Sequence, residues 1–382
     1  MPVCQFQHQR LGTAYYNRLA LLVKQNRRND FRRSCRRKII TGDMMTRIVV
    51  DAMGSDNYPI PDVEGAVMAA RDHGVEIILV GDTAKIQTVL DSLGIGDLPV
   101  RVIHAPEMLT MHDKGEDLVM KARHKEAQNS MAVGLDLVKS GEADAFVTAG
   151  NTGAAMVTSL FRLGRIRGVD RPALAGPFPT ANGICNVIDI GANPDCKPEN
   201  LLQFGIMGSV FAERVRGVKN PRVGLISNGE EAGKGSELVK EAYPLLANAK
   251  LNFIGNVEGK EIFNGHVDVA VTDGFTGNVF LKGTEAVAKL LIEKIRETIR
   301  GGNLPTKLGG ALVRPALGSI RKMLDPSEEG AAPLLGVNGL VFIGHGRSDA
   351  LAIKSAVRVA KGAAEARVLD AIKSAIEASL KK

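Results

Sequence analysis

Most of the polar residues that could bind a substrate lie in short, glycine-rich turns, each following a run of apolar residues. Such a turn can direct free backbone N–H groups at an anion, and the positive end of a helix that begins there adds to the attraction. A single turn of this kind usually only connects a strand to a helix. Several turns in one crevice could bind a multiply charged ligand such as phosphate. The five turns are 150–153, 191–193, 228–235, 274–278 and 345–349.

Lys234 and Asn278 carry the clearest catalytic chemistry in these turns. The ammonium group of Lys234 could pair with phosphate and polarise a carbonyl, although a solvated surface lysine is the alternative. Asn278 stands at a predicted helix start, where its amide could donate to an oxyanion or simply cap the helix. His345 is a further candidate for substrate contact, and a plain turn residue is its alternative.

Other familiar chemistries do not match the spacing. The 228–235 turn has three residues between its glycines and Gly235 after the lysine, whereas a nucleotide-binding P-loop has four and then Ser or Thr. No Gly-x-Gly-x-x-Gly follows the first predicted strand, which argues against a dinucleotide. Ser227 lacks the Gly-x-Ser-x-Gly pattern, and His104 and His112 stand apart without other metal ligands. The sequence therefore predicts no metal, no cofactor and no covalent intermediate.

The turns separate β-branched runs from helical patterns in regular alternation from residue 47 onward. Several predicted strands are almost wholly apolar, as expected for strands buried on both faces of a parallel sheet. In such sheets ligands bind beyond the carboxyl ends of the strands. The prediction is an α/β protein, a three-layer α/β/α fold with a mainly parallel sheet and a protruding helical hairpin. The predicted strands are 47–51, 76–80, 100–104, 144–149, 186–190, 222–227, 251–255, 267–273 and 339–344, and the predicted helices are 61–73, 83–93, 117–140, 152–164, 200–216, 235–248, 276–300 and 349–380.

The excess positive charge is confined to residues 1–44. Of the 49 basic and 42 acidic residues in the chain, this segment holds ten and two, so 45–382 has 39 and 40. A nucleic-acid-binding function based on overall charge therefore loses its support. Residues 1–44 could be a targeting peptide, a disordered basic arm or translation from an upstream start, with Met44 or Met45 as the true start. Residues 45–382 are predicted to form a single catalytic domain with a helical insertion at about 285–328.

Segment 304–324 places apolar residues at helical spacing, with Lys307, Arg314 and Arg321 on another face and no acid. Pro315 is expected to bend or divide this helix. Such a helix suits an anionic bilayer surface. The alternative is a helical hairpin packed against its own domain or a second subunit. The apolar residues are Leu304, Leu308, Leu312, Ala316, Leu317, Ile320 and Leu324, of which Leu304, Leu308, Leu312, Leu317 and Ile320 are the predicted membrane contacts.

Eight stretches of the chain together resemble signatures of the bacterial acyl-ACP:phosphate acyltransferase family. They occur in the family's order over about residues 46–360, and residues 1–44 lie outside the resemblance. The sequence departs from the family pattern at Ser55, Pro194, 227–228 and Gly344. The stretches are Val-Asp-Ala-Met-Gly-Ser-Asp at 50–56, Ala-Gly-Asn-Thr-Gly-Ala at 149–154, Asp-Ile-Gly-Ala-Asn at 189–193, Gln-Phe-Gly-Ile-Met-Gly-Ser at 203–209, Asn-Pro-Arg-Val-Gly-Leu at 220–225, Thr-Asp-Gly-Phe-Thr-Gly-Asn-Val at 272–279, Gly-Ala-Ala-Pro-Leu-Leu-Gly at 330–336 and His-Gly at 345–346.

The resemblance implies an enzyme that transfers a long-chain fatty acyl group from acyl carrier protein to inorganic phosphate, giving acyl phosphate for phospholipid synthesis. It implies a fold similar to that of phosphotransacetylases and a homodimer. It also implies a cytoplasmic protein peripherally associated with the inner face of the membrane, where a glycerol-3-phosphate acyltransferase would use the product. Lys234 and Asn278 match the family's catalytic positions, and a family membrane anchor matches 304–324 in position only.

On this interpretation, phosphate binds among the turns 150–153, 191–193 and 274–278 and attacks the thioester carbonyl, while Lys234 and Asn278 stabilise the oxyanion. Three rival functions are a short-chain phosphotransacylase that uses acyl-CoA, a non-catalytic membrane-associated scaffold and, more distantly, a dehydrogenase. The predicted phosphate or substrate contacts are Asp51, Gly150, Asn151, Thr152, Gly153, Asn193, Gly274, Thr276, Gly277 and His345.

Overall fold

A computed structural model describes residues 45–110, 113, 115–124, 128–323 and 326–381. The predictions for residues 1–44, and those that involve His112 and Leu324, lie outside these ranges. Strands and helices are numbered in chain order. The strands are β1 (Arg47–Asp51), β2 (Glu76–Gly81), β3 (Val100–His104), β4 (Ala145–Thr148), β5 (Ala173–Thr180), β6 (Gly183–Ile188), β7 (Arg222–Ile226), β8 (Asn252–Val257), β9 (Val269–Val271), β10 (Ala332–Leu335) and β11 (Val341–Ile343).

The helices alternate with the strands, and a 3₁₀ turn, Pro326–Glu328, precedes β10. They are α1 (Ile60–His73), α2 (Thr83–Leu93), α3 (Gly115–Arg123), α4 (Ser130–Ser140), α5 (Thr152–Arg162), α6 (Pro198–Arg216), α7 (Glu237–Ala247), α8 (Gly259–Phe263), α9 (Gly274–Gly301), α10 (Leu304–Met323), α11 (Ala350–Glu365) and α12 (Val368–Leu380).

All described strands belong to one sheet with the order β3-β2-β1-β4-β11-β10-β5-β6-β9-β7-β8. Strands β3, β2, β1, β4 and β11 form one parallel block. Strands β6, β9, β7 and β8 form a second parallel block. Antiparallel pairing of β11 with β10, β10 with β5 and β5 with β6 joins them. The predicted α/β fold with a mostly parallel sheet is confirmed. Three successive reversals make the two blocks run in opposite directions.

Two apolar layers cover the two faces of the sheet, which accounts for the wholly apolar strands. In β1, for example, Ile48 and Val50 point into one layer and Val49 into the other. Helices α1, α2, α6, α7, α11 and α12 complete the first layer. Helices α3, α4, α5 and α8, together with Phe280 and Leu281 of α9, complete the second. Alternate side chains of a strand point to opposite faces, so a strand in the middle of three layers must be apolar on both.

Two predicted helices are each a pair of helices in the structure. The predicted helix 117–140 is α3 and α4, and the side chain of Asn129 caps α4 by accepting a hydrogen bond from the Ala132 N–H at 2.9 Å. The predicted helix 349–380 is α11 and α12, separated at Arg367, whose φ is +53°. Helical periodicity alone did not indicate either interruption.

Strands β5 and β10 were absent from the predicted strands. Strand β5 contains Pro177 and Pro179, which lack the N–H group that a sheet ladder uses and therefore argue against a strand. Strand β10 lies in the Gly- and Pro-rich segment that precedes β11. These two strands reverse the direction of the sheet, so their omission affected the predicted geometry of the turns.

Helices α9 and α10 pack against each other, with a Cβ added at Gly310 falling 2.3 Å from Ile299. Helix α10 is continuous from Leu304 to Met323, so of the two effects expected at Pro315, a bend or a division, the division does not occur. Large apolar side chains on both helices are exposed, including Leu304 (71%), Leu308 (59%) and Leu312 (83%). No helix in the described ranges combines the length and hydropathy that a bilayer crossing requires.

Candidate active site

Three of the five predicted turns lie together at one edge of the sheet, where β6, β9 and β7 end side by side. In the ladders, Val271 of β9 is the partner of both Ile188 of β6 and Leu225 of β7. The turns 189–193, 272–278 and 227–235 therefore leave the sheet next to one another. This group is called the lysine edge here, because it includes Lys234.

Asp189 fixes the first of these turns from beneath. Its carboxylate accepts hydrogen bonds from the backbone N–H groups of Gly191 (3.1 Å), Ala192 (2.9 Å) and Asn193 (2.7 Å). Burial raises the pKa of Asp189, and these hydrogen bonds oppose the rise by stabilising the carboxylate. The N–H groups that the sequence assigned to phosphate are thus directed at Asp189, and the turn forms a rigid floor.

Asn193 belongs to the same floor. Its side-chain amide donates to the carbonyl oxygen of Pro172 at 2.7 Å and to Asp189 at 2.9 Å, and the residue is buried. Sequence reasoning missed Asp189, although an acid two residues before a Gly-x-Asn turn is a recognisable signal for side-chain-to-backbone bonding. Asn193 and Asp189 therefore position neighbouring residues.

The first turn of α9 packs directly on this floor. Asp273 caps the helix, accepting from the Thr276 N–H at 2.8 Å and from the Thr276 hydroxyl at 2.7 Å, and the Gly274 N–H donates to the Asn193 carbonyl oxygen at 2.8 Å. A Cβ added at Gly277 would lie 1.9 Å from the carbonyl oxygen of Asp189, a contact that only glycine permits.

Asn278 follows Gly277 and lies exposed beside the floor. A Cβ added at Gly191 would come 3.7 Å from the Cβ of Asn278, which places the asparagine side chain directly next to the 189–193 turn. Helix capping is carried out by Asp273, so the capping alternative for Asn278 does not apply. Its amide is left on the surface of the lysine edge.

Lys234 is exposed in the loop after β7, the strand adjacent to β9. Its ammonium group makes no ion pair with any described residue, unlike Lys240 in the following helix, which pairs with Glu237 at 2.9 Å. The adjacent strands bring the Lys234 loop alongside the start of α9. An unpaired cation and an exposed amide thus occupy neighbouring turns, a combination that can stabilise negative charge on a reacting oxygen.

The turns after β4 and β11 lie at the opposite edge of the sheet, so the prediction that 150–153 shares one phosphate site with 191–193 and 274–278 is wrong. The two edges are separated by the length of the strands between them. Strand β4 has four residues and β6 has six, and at about 3.3 Å per residue these lengths are on the order of 13 to 20 Å. One phosphate ion therefore cannot contact both 150–153 and 274–278. The reversals at β10, β5 and β6 are the cause.

At this opposite edge, hydrogen bonds to the side chain of Asp51 connect the turns that follow β1 and β4. It is 1% exposed and accepts hydrogen bonds from the Thr148 hydroxyl at 2.7 Å and the Met53 N–H at 3.0 Å. The Gly150 N–H donates to the Thr148 hydroxyl oxygen at 3.0 Å. Burial raises the pKa of Asp51, and hydrogen bonds from Ser130 and Thr148 lower it. Asp51 and Gly150 therefore share one buried hydrogen-bond network.

The start of α5 holds the other residues predicted in this turn. The Asn151 side chain caps the helix, accepting from the Ala154 N–H at 3.1 Å, and its amide donates to the Thr110 carbonyl oxygen at 3.2 Å. Thr152 is exposed, and a Cβ added at Gly153 would lie 3.3 Å from Asn151. These residues form an ordinary helix start at a distance from Lys234.

His345 lies at the same edge, in the turn after β11, within electrostatic range of charged groups of α9. Desolvation by the surrounding protein lowers its pKa, although part of the residue is exposed; Glu285 raises the pKa, and Arg347 and Lys282 lower it. Lys282 and Glu285 belong to α9, which begins at the lysine edge. Helix α9 therefore runs from the lysine edge past His345.

Within the described ranges, one group of three acids has carboxylate oxygens close enough to share a cation. These acids are Glu230, Glu258 and Glu261. The ammonium nitrogen of Lys260 lies 2.7 Å, 3.3 Å and 3.7 Å from them, so a protein cation already lies among these carboxylates and offsets part of their charge.

Solved structures with similar folds establish the fold class of the chain. The chain superposes on a EutD phosphotransacetylase from Staphylococcus aureus with a TM-score of 0.54 and 17% identity, covering 84% of this chain and 94% of that one. A phosphotransacetylase from Streptococcus pyogenes gives a TM-score of 0.55, again at 17% identity over 84% and 94%. The fold is similar to that of phosphotransacetylases.

Sequence comparison identifies the family. Residues 46–371 match the family model described as a fatty acid synthesis protein. A phosphate acyltransferase from Pelotomaculum thermopropionicum is 47% identical over 87% of this chain and 95% of that protein. One from Geobacter sulfurreducens is 48% identical over 82% and 89%. The chain belongs to the fatty acid synthesis protein family, together with these phosphate acyltransferases.

Proposed function

We propose that this protein transfers a long-chain fatty acyl group from acyl carrier protein to inorganic phosphate and releases acyl phosphate. The main structural support for this reaction is that Lys234 and Asn278 lie in turns from adjacent strands at the lysine edge. Identity of 47% with a phosphate acyltransferase over 87% of the chain supports the reaction class.

Phosphate binds at the lysine edge beside the start of α9, in front of the floor fixed by Asp189. The helix dipole and the cation of Lys234 both favour an anion there. The proposed phosphate contacts are the turn 274–278 and Lys234. The turn 191–193 is no longer among them, because its N–H groups are directed at Asp189.

In the reaction, a phosphate oxygen attacks the thioester carbonyl carbon and forms the new C–O bond. Negative charge develops on the carbonyl oxygen, where Lys234 and the amide of Asn278 stabilise it. The C–S bond then breaks, and the carrier thiolate leaves with the electron pair and takes a proton from solvent. Phosphate is an anion at neutral pH, so the enzyme's main tasks are orientation and charge stabilisation.

Trapping of the product with hydroxylamine tests the reaction. We expect hydroxamate formation that requires the protein, phosphate and a long-chain acyl carrier protein, with little product when acetyl-CoA replaces it. Efficient reaction with acetyl-CoA alone would favour the short-chain phosphotransacylase. If neither donor gives hydroxamate, the protein is not a phosphate acyltransferase and the non-catalytic scaffold is the function that remains.

We further propose that α10 contacts an anionic membrane surface and that the protein acts as a cytoplasmic homodimer close to a glycerol-3-phosphate acyltransferase. Leu304, Leu308 and Leu312 are exposed on a helix that contains Lys307 and Arg314 and no acid. Leu317 and Ile320 lie on the same helix; the positions of their side chains are outside the described part of the chain.

Vesicle sedimentation tests the membrane proposal. The protein is expected to sediment with vesicles that contain anionic lipid and to stay in solution with neutral ones, because the apolar and cationic groups act together. Replacing Leu304, Leu308 and Leu312 with Gln is expected to abolish sedimentation without altering hydroxamate formation in solution. If these replacements instead convert a dimer to a monomer, the exposed leucines belong to a subunit interface.

A further inference from the structure

Asn256 lies directly beneath the loop that carries Lys234. It belongs to β8, where it is paired with Leu225 of β7, and it is 5% exposed. Its side-chain nitrogen donates to the carbonyl oxygen of Glu231 at 2.8 Å and lies 3.5 Å from the carbonyl oxygen of Lys234. A buried amide on a sheet strand thus contacts the backbone of the loop at two points.

Those two points are the ends of one turn. The Lys234 N–H donates to the Glu231 carbonyl oxygen at 2.9 Å, so residues 231–234 form a turn that returns the chain toward the sheet. The next residue, Gly235, has a φ of +106°, and a Cβ there would lie 2.5 Å from Val239. Asn256 therefore holds the backbone at Glu231 and at Lys234, and the position after Lys234 accepts only glycine.

The orientation of the Asn256 amide follows from its partners. Both neighbours are carbonyl oxygens, which accept hydrogen bonds, so the nitrogen must face the loop. The amide oxygen is then buried, and no described residue donates to it.

We propose that Asn256 is a positioning residue that holds Lys234 at the place where negative charge develops. It acts through the backbone of residues 231–234 and does not touch the substrate. This role rests on the proposed function of Lys234, and it extends the site to a strand, β8, from which no predicted site residue came.

Two alanine variants of the same strand test the role. Asn256→Ala is expected to lower kcat for acyl phosphate formation by about tenfold to a hundredfold with a much smaller change in KM, because displacement of a catalytic group by about one ångström has effects of this size. Asn252→Ala is the matched control, since Asn252 also donates to a backbone carbonyl, that of Asn220 at 2.9 Å, at the far end of β8. It should keep the parental kcat.

A double-mutant cycle separates positioning from a general structural effect. If Asn256 acts only through Lys234, the loss caused by Asn256→Ala should disappear in the Lys234→Ala background. A further loss of kcat in that background, equal to the loss in the parent, would overturn the proposal.

Asn256→Asp guards against a failure of the alanine variant to fold, because it keeps the side-chain volume. A protonated carboxyl group can donate to the loop carbonyls, and an ionised one repels them. The kcat of this variant relative to the parent should therefore fall as pH rises. A ratio that does not change with pH would contradict the donor role of Asn256.

Hydrogen exchange distinguishes failure of this inference from failure of the proposed function. In Asn256→Ala, the amides of 231–235 should exchange faster, while those of α7 should be unchanged. If exchange is faster but the parent protein makes no acyl phosphate, the proposed function is wrong and the contact between Asn256 and the loop stands. Unchanged exchange and unchanged kcat in an active protein would overturn the positioning role.

Discussion

Asp62 is a fully buried acid whose side chain accepts a hydrogen bond of 2.5 Å from the Ser55 hydroxyl. Burial is the main reason that the pKa of Asp62 is raised to about 7; Ser55 opposes the rise and the nearby Asp51 adds to it. One of its two carboxylate oxygens has no hydrogen-bond partner in the described part of the chain. Below about pH 7 the neutral form of Asp62 is therefore favoured in the folded protein.

This pKa makes the stability of the protein depend on pH. Between about pH 4 and about 7 the unfolded chain has an ionised Asp62 while the folded chain keeps the proton, so the free energy of unfolding falls as pH rises through this window. The shift of about three pKa units corresponds to roughly 4 kcal/mol. Above about pH 7 both states are ionised and the contribution of Asp62 no longer changes.

Asp62→Asn should remove this dependence, because an amide oxygen can still accept from Ser55. Denaturant unfolding at several pH values is expected to show a variant that gains stability relative to the parent as pH rises from 5 to 8. Glu64→Gln, the same chemical change at a partly exposed position of α1, is the control. A difference between Asp62→Asn and parent that stays constant with pH would contradict this account.

Among the secondary-structure elements, α9 does most to position the site residues. Its first turn rests on the floor made by Asp189, and its start follows β9, between β6 and β7. The sequence predicted this helix from residue 276, two residues after its start in the structure, and offered Asn278 as the capping residue where the structure has Asp273. It did not indicate how closely the helix approaches Asp189, since that contact joins residues far apart in the chain.

Two glycines of α9 test the importance of that approach. Gly277→Ala should displace the helix start, because its Cβ would lie 1.9 Å from a backbone oxygen. We expect a loss of stability of about 1 to 3 kcal/mol, as for overpacked cores, and a larger relative loss of kcat as Asn278 moves.

Gly283→Ala is the matched control within the same helix. No atom lies within 4 Å of a Cβ added at Gly283, so alanine should leave kcat unchanged and stabilise the helix by up to about 1 kcal/mol. Thermal unfolding and hydroxamate formation measure both effects. Equal behaviour of the two variants would show that the contact with Asp189 is unimportant.

For the whole molecule, the sequence was sufficient for the fold class and not for the direction of the two halves of the sheet. Apolar strands alternating with helices indicated three layers, because burial on both faces leaves a local pattern. The reversals depend on β5 and β10, whose prolines and glycines concealed them. The turns after β4 and β11 were therefore assigned to the edge that carries Lys234, and the structure places them at the other.

We propose a single reaction centre at the lysine edge, where the cation of Lys234 stabilises the transition state. The most direct test is kcat for acyl phosphate formation in Lys234→Ala beside Lys240→Ala, an exposed lysine of the following helix that pairs with Glu237. We expect Lys234→Ala to lose about a hundredfold to a thousandfold, as for removal of one oxyanion donor, and Lys240→Ala to match the parent. Parental turnover in Lys234→Ala would contradict the assignment of the reaction to this edge.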